Sequence, residues 1–108
     1  MSNIRVLVVE DEAIASAAHA AYVGRLEGFE LAGTAPDGQS ALRLLNEFVA
    51  AGEPVELVLL DMNLPDLHGL DIARRMRSAG ILADIIAITA VRELRSSAAP
   101  WPSAWSST

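Results

Sequence analysis

Residues 57–71 read LVLLDMNLPDLHGLD. Four apolar residues in unbroken succession are the pattern of a strand covered on both faces, as in a parallel sheet. The run closes on Asp61, and Pro65 and Gly69 then mark a loop before the chain turns helical. Residues 4–12, IRVLVVEDE, repeat the arrangement: an apolar run from Ile4 to Val9 spills into Glu10, Asp11 and Glu12. In a parallel α/β sheet the carboxyl ends of the strands line one rim, where such sheets bind their ligands. Two acid-ended strands therefore predict one charged pocket containing Glu10, Asp11 and Asp61.

Working outward, the chain alternates strand and helix. Ala13 to Leu26 is helical, with Ile14, Ala17, Ala18, Ala21, Tyr22 and Leu26 expected on its inward stripe. Gly28 breaks it, and Phe29 to Ala35 reads as a second strand. The turn PDG at 36–38 precedes a helix with the stripe Ala41, Leu44, Leu45 and Phe48. Gly52 and Pro54 end that helix, Val55 to Leu60 is the third strand, and Leu70 to Ala79 is a helix carrying Ile72, Ala73 and Met76 inward. Gly80 stops it before a fourth strand from Ile85 to Thr89. Strict alternation with short connections specifies an α/β fold, a doubly wound parallel sheet with right-handed crossovers; in the expected flavodoxin-like order 2-1-3-4, strands one and three are neighbours, which places Glu10, Asp11 and Asp61 side by side.

A length of 108 residues, 52% of them hydrophobic, suits one domain with one core. Acids outnumber bases 14 to 8, and the bases cluster nowhere beyond Arg74, Arg75 and Arg77, so this chain is not expected to bind nucleic acid directly. It has no cysteine, hence no disulfide frame or thiolate chemistry. No apolar stretch approaches the roughly 20 residues that span a bilayer, and Met1 leads directly into a strand-like run, so a cytoplasmic location is expected.

A single acid at a strand end is commonly a helix cap or a solvated charge. Three together repel one another, and the usual remedy is a hard divalent cation held by oxygen ligands. The ordered motifs VLVVEDE, LVLLDMNLPDLHGLD and IIAITA resemble the receiver domain of two-component response regulators, over residues 3 to 93. The resemblance implies that Asp61 is the phospho-acceptor, with a phosphohistidine of a sensor histidine kinase as donor. It implies Mg²⁺ as cofactor, with Asp11 a direct ligand, Glu10 its acidic neighbour acting through water, and the Asn63 backbone carbonyl completing the set. Thr89 matches the switch hydroxyl, and small Ala90 leaves room for it. Glu12 and Asp66 read as capping or solvated charges, and His19 and His68 as bystanders. The segment AYVGRLEGFELAGTAPDGQSAL and the sequel AITAVREL look most like regulators paired with sensor kinases for citrate and C4-dicarboxylates, which continue into a DNA-binding output domain.

One departure from the family is plain: all eight bases are arginine. The family expects a fifth strand ending in lysine and proline, then a last helix; neither is legible here. A charge-assisted hydrogen bond to phosphoryl oxygen contributes about 1.5–3 kcal/mol, so its loss is expected to impair phosphorylation or its coupling to Thr89 rather than abolish the chemistry. Residues 1–93 are therefore expected to form a receiver incomplete at its C-terminus, and 94–108 an aberrant tail. The stretch RSSAAPWPSAWSS, written in GC-rich codons and shifted by one base, becomes EVVRGAVALGVVV, a helix, a glycine and a strand start. A frameshift or sequence error near Leu94 is one account, and a natural, disordered tail the other. Without a fifth strand the fourth becomes an edge, which invites self-association unless Trp101 and Trp105 cover it.

Two other classes compete with the phospho-accepting switch. A hydrolase of the haloacid dehalogenase type also uses a strand-end Asp, but expects it on the first strand with a second Asp two positions on; position 63 is Asn. A non-phosphorylated pseudo-receiver would keep the fold and acids as an interaction module only.

Overall fold

The structure is a computed structural model and describes residues 3–88. Seven elements alternate along them: β1 (Ile4–Val9), α1 (Ala13–Arg25), β2 (Phe29–Ala35), α2 (Gly38–Ala50), β3 (Leu57–Asp61), α3 (Gly69–Ser78) and β4 (Asp84–Ile88). The strands form one parallel sheet in the expected order β2-β1-β3-β4. The strand order reverses at β1: α1 leads outward to β2, and α2 leads back to β3. A crevice opens at such a reversal, between the carboxyl ends of β1 and β3.

The main core lies on the face covered by α2 and α3. Leu7 and Val9 of β1 with Val58 and Leu60 of β3 pack against Ala41 and Leu45 of α2 and Ile72 and Met76 of α3. Each of the larger side chains contributes about 1.5–3 kcal/mol by leaving water. The stripes expected on α2 and α3 are the ones buried. Strand alternation turns Val6 and Val8 to the other face, on the side of α1, and both are fully buried.

On α1 the expected stripe is wrong. Ile14 is 81% exposed and Tyr22 57% exposed, while Val23 is the helix's buried residue. Ala15, Ser16, His19 and Ala20 are half-buried, so the inward side runs through them to Val23 and Leu26, and Ala17, Ala18 and Ala21 face water. Element ends also shift slightly. β3 starts at Leu57 rather than Val55, because Val55 is buried outside the ladder while the next residue, Glu56, bridges to Arg5 and Asp84 through backbone bonds of 2.9 Å each.

Helix α3 closes with Gly80 at φ +78°, a conformation that glycine reaches without steric cost. Arg77 then stitches the turn: its Nη1 donates to the Ile81 carbonyl (2.7 Å) and its Nη2 to that of Ala83 (3.0 Å). Among the described residues β4 has β3 as its neighbour and forms the sheet's edge, with Ile86 half exposed. The expectations for Thr89, Ala90, the tail from Leu94, Trp101, Trp105 and a fifth strand lie outside the described residues.

Candidate phosphoacceptor and metal site

The parallel register pairs Val9 with Leu60, so the next residues, Glu10 and Asp61, arrive level at the rim. The Glu10 amide still donates to Ala35 of β2 (3.0 Å), which fixes the backbone of β1 to its end. Glu10 and Asp61 are the buried charged side chains among the described residues, at 6% and 4% exposure, while Asp11 is exposed beside them. One carboxylate oxygen from each of Glu10, Asp11 and Asp61 lies within 4.8 Å of the other two.

That geometry suits a small hard cation. An octahedral shell of radius about 2.1 Å places neighbouring and opposite ligand atoms roughly 3 to 4 Å apart, so the three oxygens fit in or next to one shell. The electrostatics agree. Glu10 is pushed up from 4.5 to about 7, first by burial, then by its hydrogen bond to Asp61 and the charge of that carboxylate; the Glu12 amide, donating to Glu10 Oε2 at 3.2 Å, opposes the rise. Without a cation the pocket retains a proton to moderate the crowded charge, and a divalent cation does the same work better.

The loop after Asp61 is built around that carboxylate. The Asn63 amide donates to Asp61 Oδ1 (3.0 Å), Asn63 pairs with His68 in an antiparallel bridge, and the Gly69 amide donates to the Met62 carbonyl (3.2 Å). Gly69 is required for room rather than for φ. It lacks the positive φ of Gly28, Gly52 and Gly80, but a Cβ would press on Met62, its Cα included at 3.1 Å.

Two further residues carry the loop, and their roles are absent from the sequence motif. His68, expected to be a bystander, is the N-cap of α3: its Nδ1 accepts from the Leu70 amide (3.2 Å), a role open only to the ring with Nδ1 unprotonated. Asp66 caps a different helix from the one that follows it. Its Oδ1 accepts from the Gly38 amide (2.8 Å) and its Oδ2 from the Gln39 amide (3.0 Å), while α2's own N-cap, Asp37, takes the Ser40 amide (2.7 Å). These bonds hold the Asp66 carboxyl below the usual carboxylate range, the Gly38 amide contributing most. Sequence offers one hint of Asp66's part: Asp37 alone cannot satisfy every orphan amide of α2's first turn. Glu12 occupies the N-cap position of α1 without a side-chain cap bond. His19 is half-buried on the sheet side of α1.

Of the site residues expected from sequence, Glu10, Asp11 and Asp61 converge and Asn63 adjoins them through its amide; Thr89 lies outside the described residues. No described helix is long and apolar enough to cross a membrane.

Known proteins place this site in a family. The chain is 35% identical over 91 residues to the transcriptional regulatory protein MalR of Bacillus subtilis, covering 84% of this chain and 37% of that protein. It is 33% identical over 92 residues to the probable C4-dicarboxylate response regulator DctR of Halalkalibacterium halodurans, covering 85% of this chain and 38% of the relative. The chain thus spans little more than a third of either relative. Among solved structures, a two-component response regulator of the LuxR family from an Aurantimonas species matches with TM-score 0.72 and 26% identity, over 82% of this chain and 59% of the other. The signal receiver domain of NarL from Mycobacterium tuberculosis shares the fold, at TM-score 0.74 and 22% identity over 82% of this chain and 68% of that one. Residues 6–99 match the response regulator receiver domain family, and the chain belongs to it.

Proposed function

We propose that Asp61 accepts a phosphoryl group from the phosphohistidine of a sensor histidine kinase, at a Mg²⁺ site formed by Glu10, Asp11, Asp61 and the Asn63 backbone carbonyl. The observation that carries this is the buried Asp61 carboxylate, level with buried Glu10 inside a three-carboxylate cluster at the sheet's switch point.

The Asn63 amide donates to Asp61 Oδ1 and so helps fix the orientation of the carboxylate. A new O–P bond forms to an Asp61 carboxylate oxygen as the donor's N–P bond breaks, and the departing imidazole nitrogen takes up a proton. When bound, Mg²⁺ neutralises charge on the carboxylates and on the transferred oxygens, which is the main requirement of such transfers. Glu10 would release its proton to solvent when the cation binds, Asp11 would supply the exposed ligand, and the Asn63–His68 bridge holds the loop on which the carbonyl sits. Thr89 is the switch hydroxyl in this proposal, read from its place at the end of the IIAIT motif.

Residues 1–93 are the receiver in this reading and 94–108 a segment that departs from the family pattern. The proposed signal output is transcriptional, supported by relatives named as transcriptional regulators that extend well beyond this chain. A cytoplasmic site of action follows from that role. Ile86, half exposed on β4, which forms the sheet's edge among the described residues, supports self-association as a second partner mode.

The test uses beryllofluoride, which mimics an aspartyl phosphate. With Mg²⁺ present, fluorine NMR should show protein-bound beryllofluoride in the parent protein and none in Asp61→Asn; identical spectra from the two would refute Asp61 as acceptor.

A further inference from the structure

The loop that carries Asn63 is anchored at both ends. Its base is closed by the Asn63–His68 bridge, and its tip is tied to α2 by Asp66, whose two oxygens take the Gly38 and Gln39 amides. A second contact holds the same junction. A Cβ on Gly38 would lie 2.8 Å from Leu67 Cδ1 and 3.0 Å from Leu67 Cβ, so the loop packs directly on the backbone of α2's first turn. Asp66 is itself exposed and Leu67 half-buried. Asp66 adds nothing to the core, and Asp37 already caps the same helix through Ser40.

We infer that Asp66 is a positioning residue for the cation site: by capping α2 from the loop's tip, it holds residues 62–68 in the shape that presents Asn63. This rests on the Mg²⁺ site proposed above. The charge of Asp66 stays three positions from Asn63 and engaged by amides, so it acts through the loop and not as a ligand.

Isothermal titration with Mg²⁺ alone separates this role from plain helix capping. Four proteins are compared at one pH: the parent, Asp66→Ala, Asp66→Asn and Asp37→Ala, with circular dichroism confirming that each is folded. Asp66→Ala should weaken Mg²⁺ binding about tenfold, the low end for residues that support metal ligands. Asp66→Asn keeps one acceptor oxygen and should fall between it and the parent. Asp37→Ala removes a cap bond from the same helix without touching the loop, and should bind Mg²⁺ as the parent does. Parent-like affinity in Asp66→Ala, or an equal loss in Asp37→Ala, would overturn the inference while leaving the Mg²⁺ site standing. Absence of Mg²⁺ binding by the parent overturns both, and that arm alone identifies the failure of the site. Should Asp66→Ala not fold, the nearly isosteric Asp66→Asn decides: parent affinity refutes, weakened affinity supports.

Discussion

Glu10 and Asp61 close adjacent parallel strands at the same level, both buried, so the side chain that would accept phosphate stands beside another carboxylate. Their mutual repulsion is relieved by a proton on Glu10, held up to about 7.

Cation binding has to displace that proton, so Mg²⁺ affinity is expected to depend on pH. Below about pH 7 the apparent association constant should fall by roughly tenfold per unit, levelling off above it. Titration calorimetry in buffers of different protonation enthalpy would count the proton released. In Glu10→Gln the dependence should flatten; an unchanged slope in that variant would assign the proton elsewhere.

The same group sets the stability of the metal-free protein, with the opposite sign to an ordinary salt-bridged acid. Folded Glu10 keeps a proton that the unfolded chain loses from about 4.5 upward, so its contribution to stability falls as pH rises from 4.5 to about 7 and is constant above. Replacing Asp61 by Asn removes the charge that Glu10 faces. At pH 8 in EDTA, Asp61→Asn should be more stable than the parent by on the order of 1 kcal/mol. Urea denaturation measures this, and a destabilised variant would contradict the electrostatic account of the site.

The orientation of α1 is tested by two truncations on one helix. Val23→Ala empties a buried position and should cost about 2 kcal/mol, whereas Ile14→Ala, on a side chain 81% exposed, should stay within about 0.5 kcal/mol of the parent. Equal losses would restore the stripe through Ile14 that the sequence suggests.

That helix also shows where sequence stops being informative. In AIASAAHAAYVGR alanine recurs on every side, so the apolar pattern has no contrast from which to choose a face, and bulky Ile14 and Tyr22 attract the assignment. The strands carry no such ambiguity: VLVV at 6–9 and LVLL at 57–60 are too continuously apolar to lie anywhere but between two layers, and each run is followed at once by an acid. The Glu10, Asp11 and Asp61 cluster then follows from the order 2-1-3-4, in which β1 and β3 are neighbours. Asp66 reads from the sequence as a capping or solvated charge, but the helix it caps is not legible because that depends on where the loop folds back, and the His68 cap is missed because histidine is not a usual N-cap residue. His68 caps the helix directly after it, but Asp66 reaches 28 positions along the chain to Gly38, a distance no local motif records.

The central claim is that Asp61 is a chemically competent phospho-acceptor. Intact-mass spectrometry after incubation with acetyl phosphate and Mg²⁺ reads it directly. The account predicts addition of one phosphoryl group, dependent on Mg²⁺, abolished in Asp61→Asn and lost on standing as an acyl phosphate hydrolyses. No mass gain in a folded protein that binds Mg²⁺, or a gain that survives Asp61→Asn, would contradict it and leave a receiver fold that serves for interaction alone.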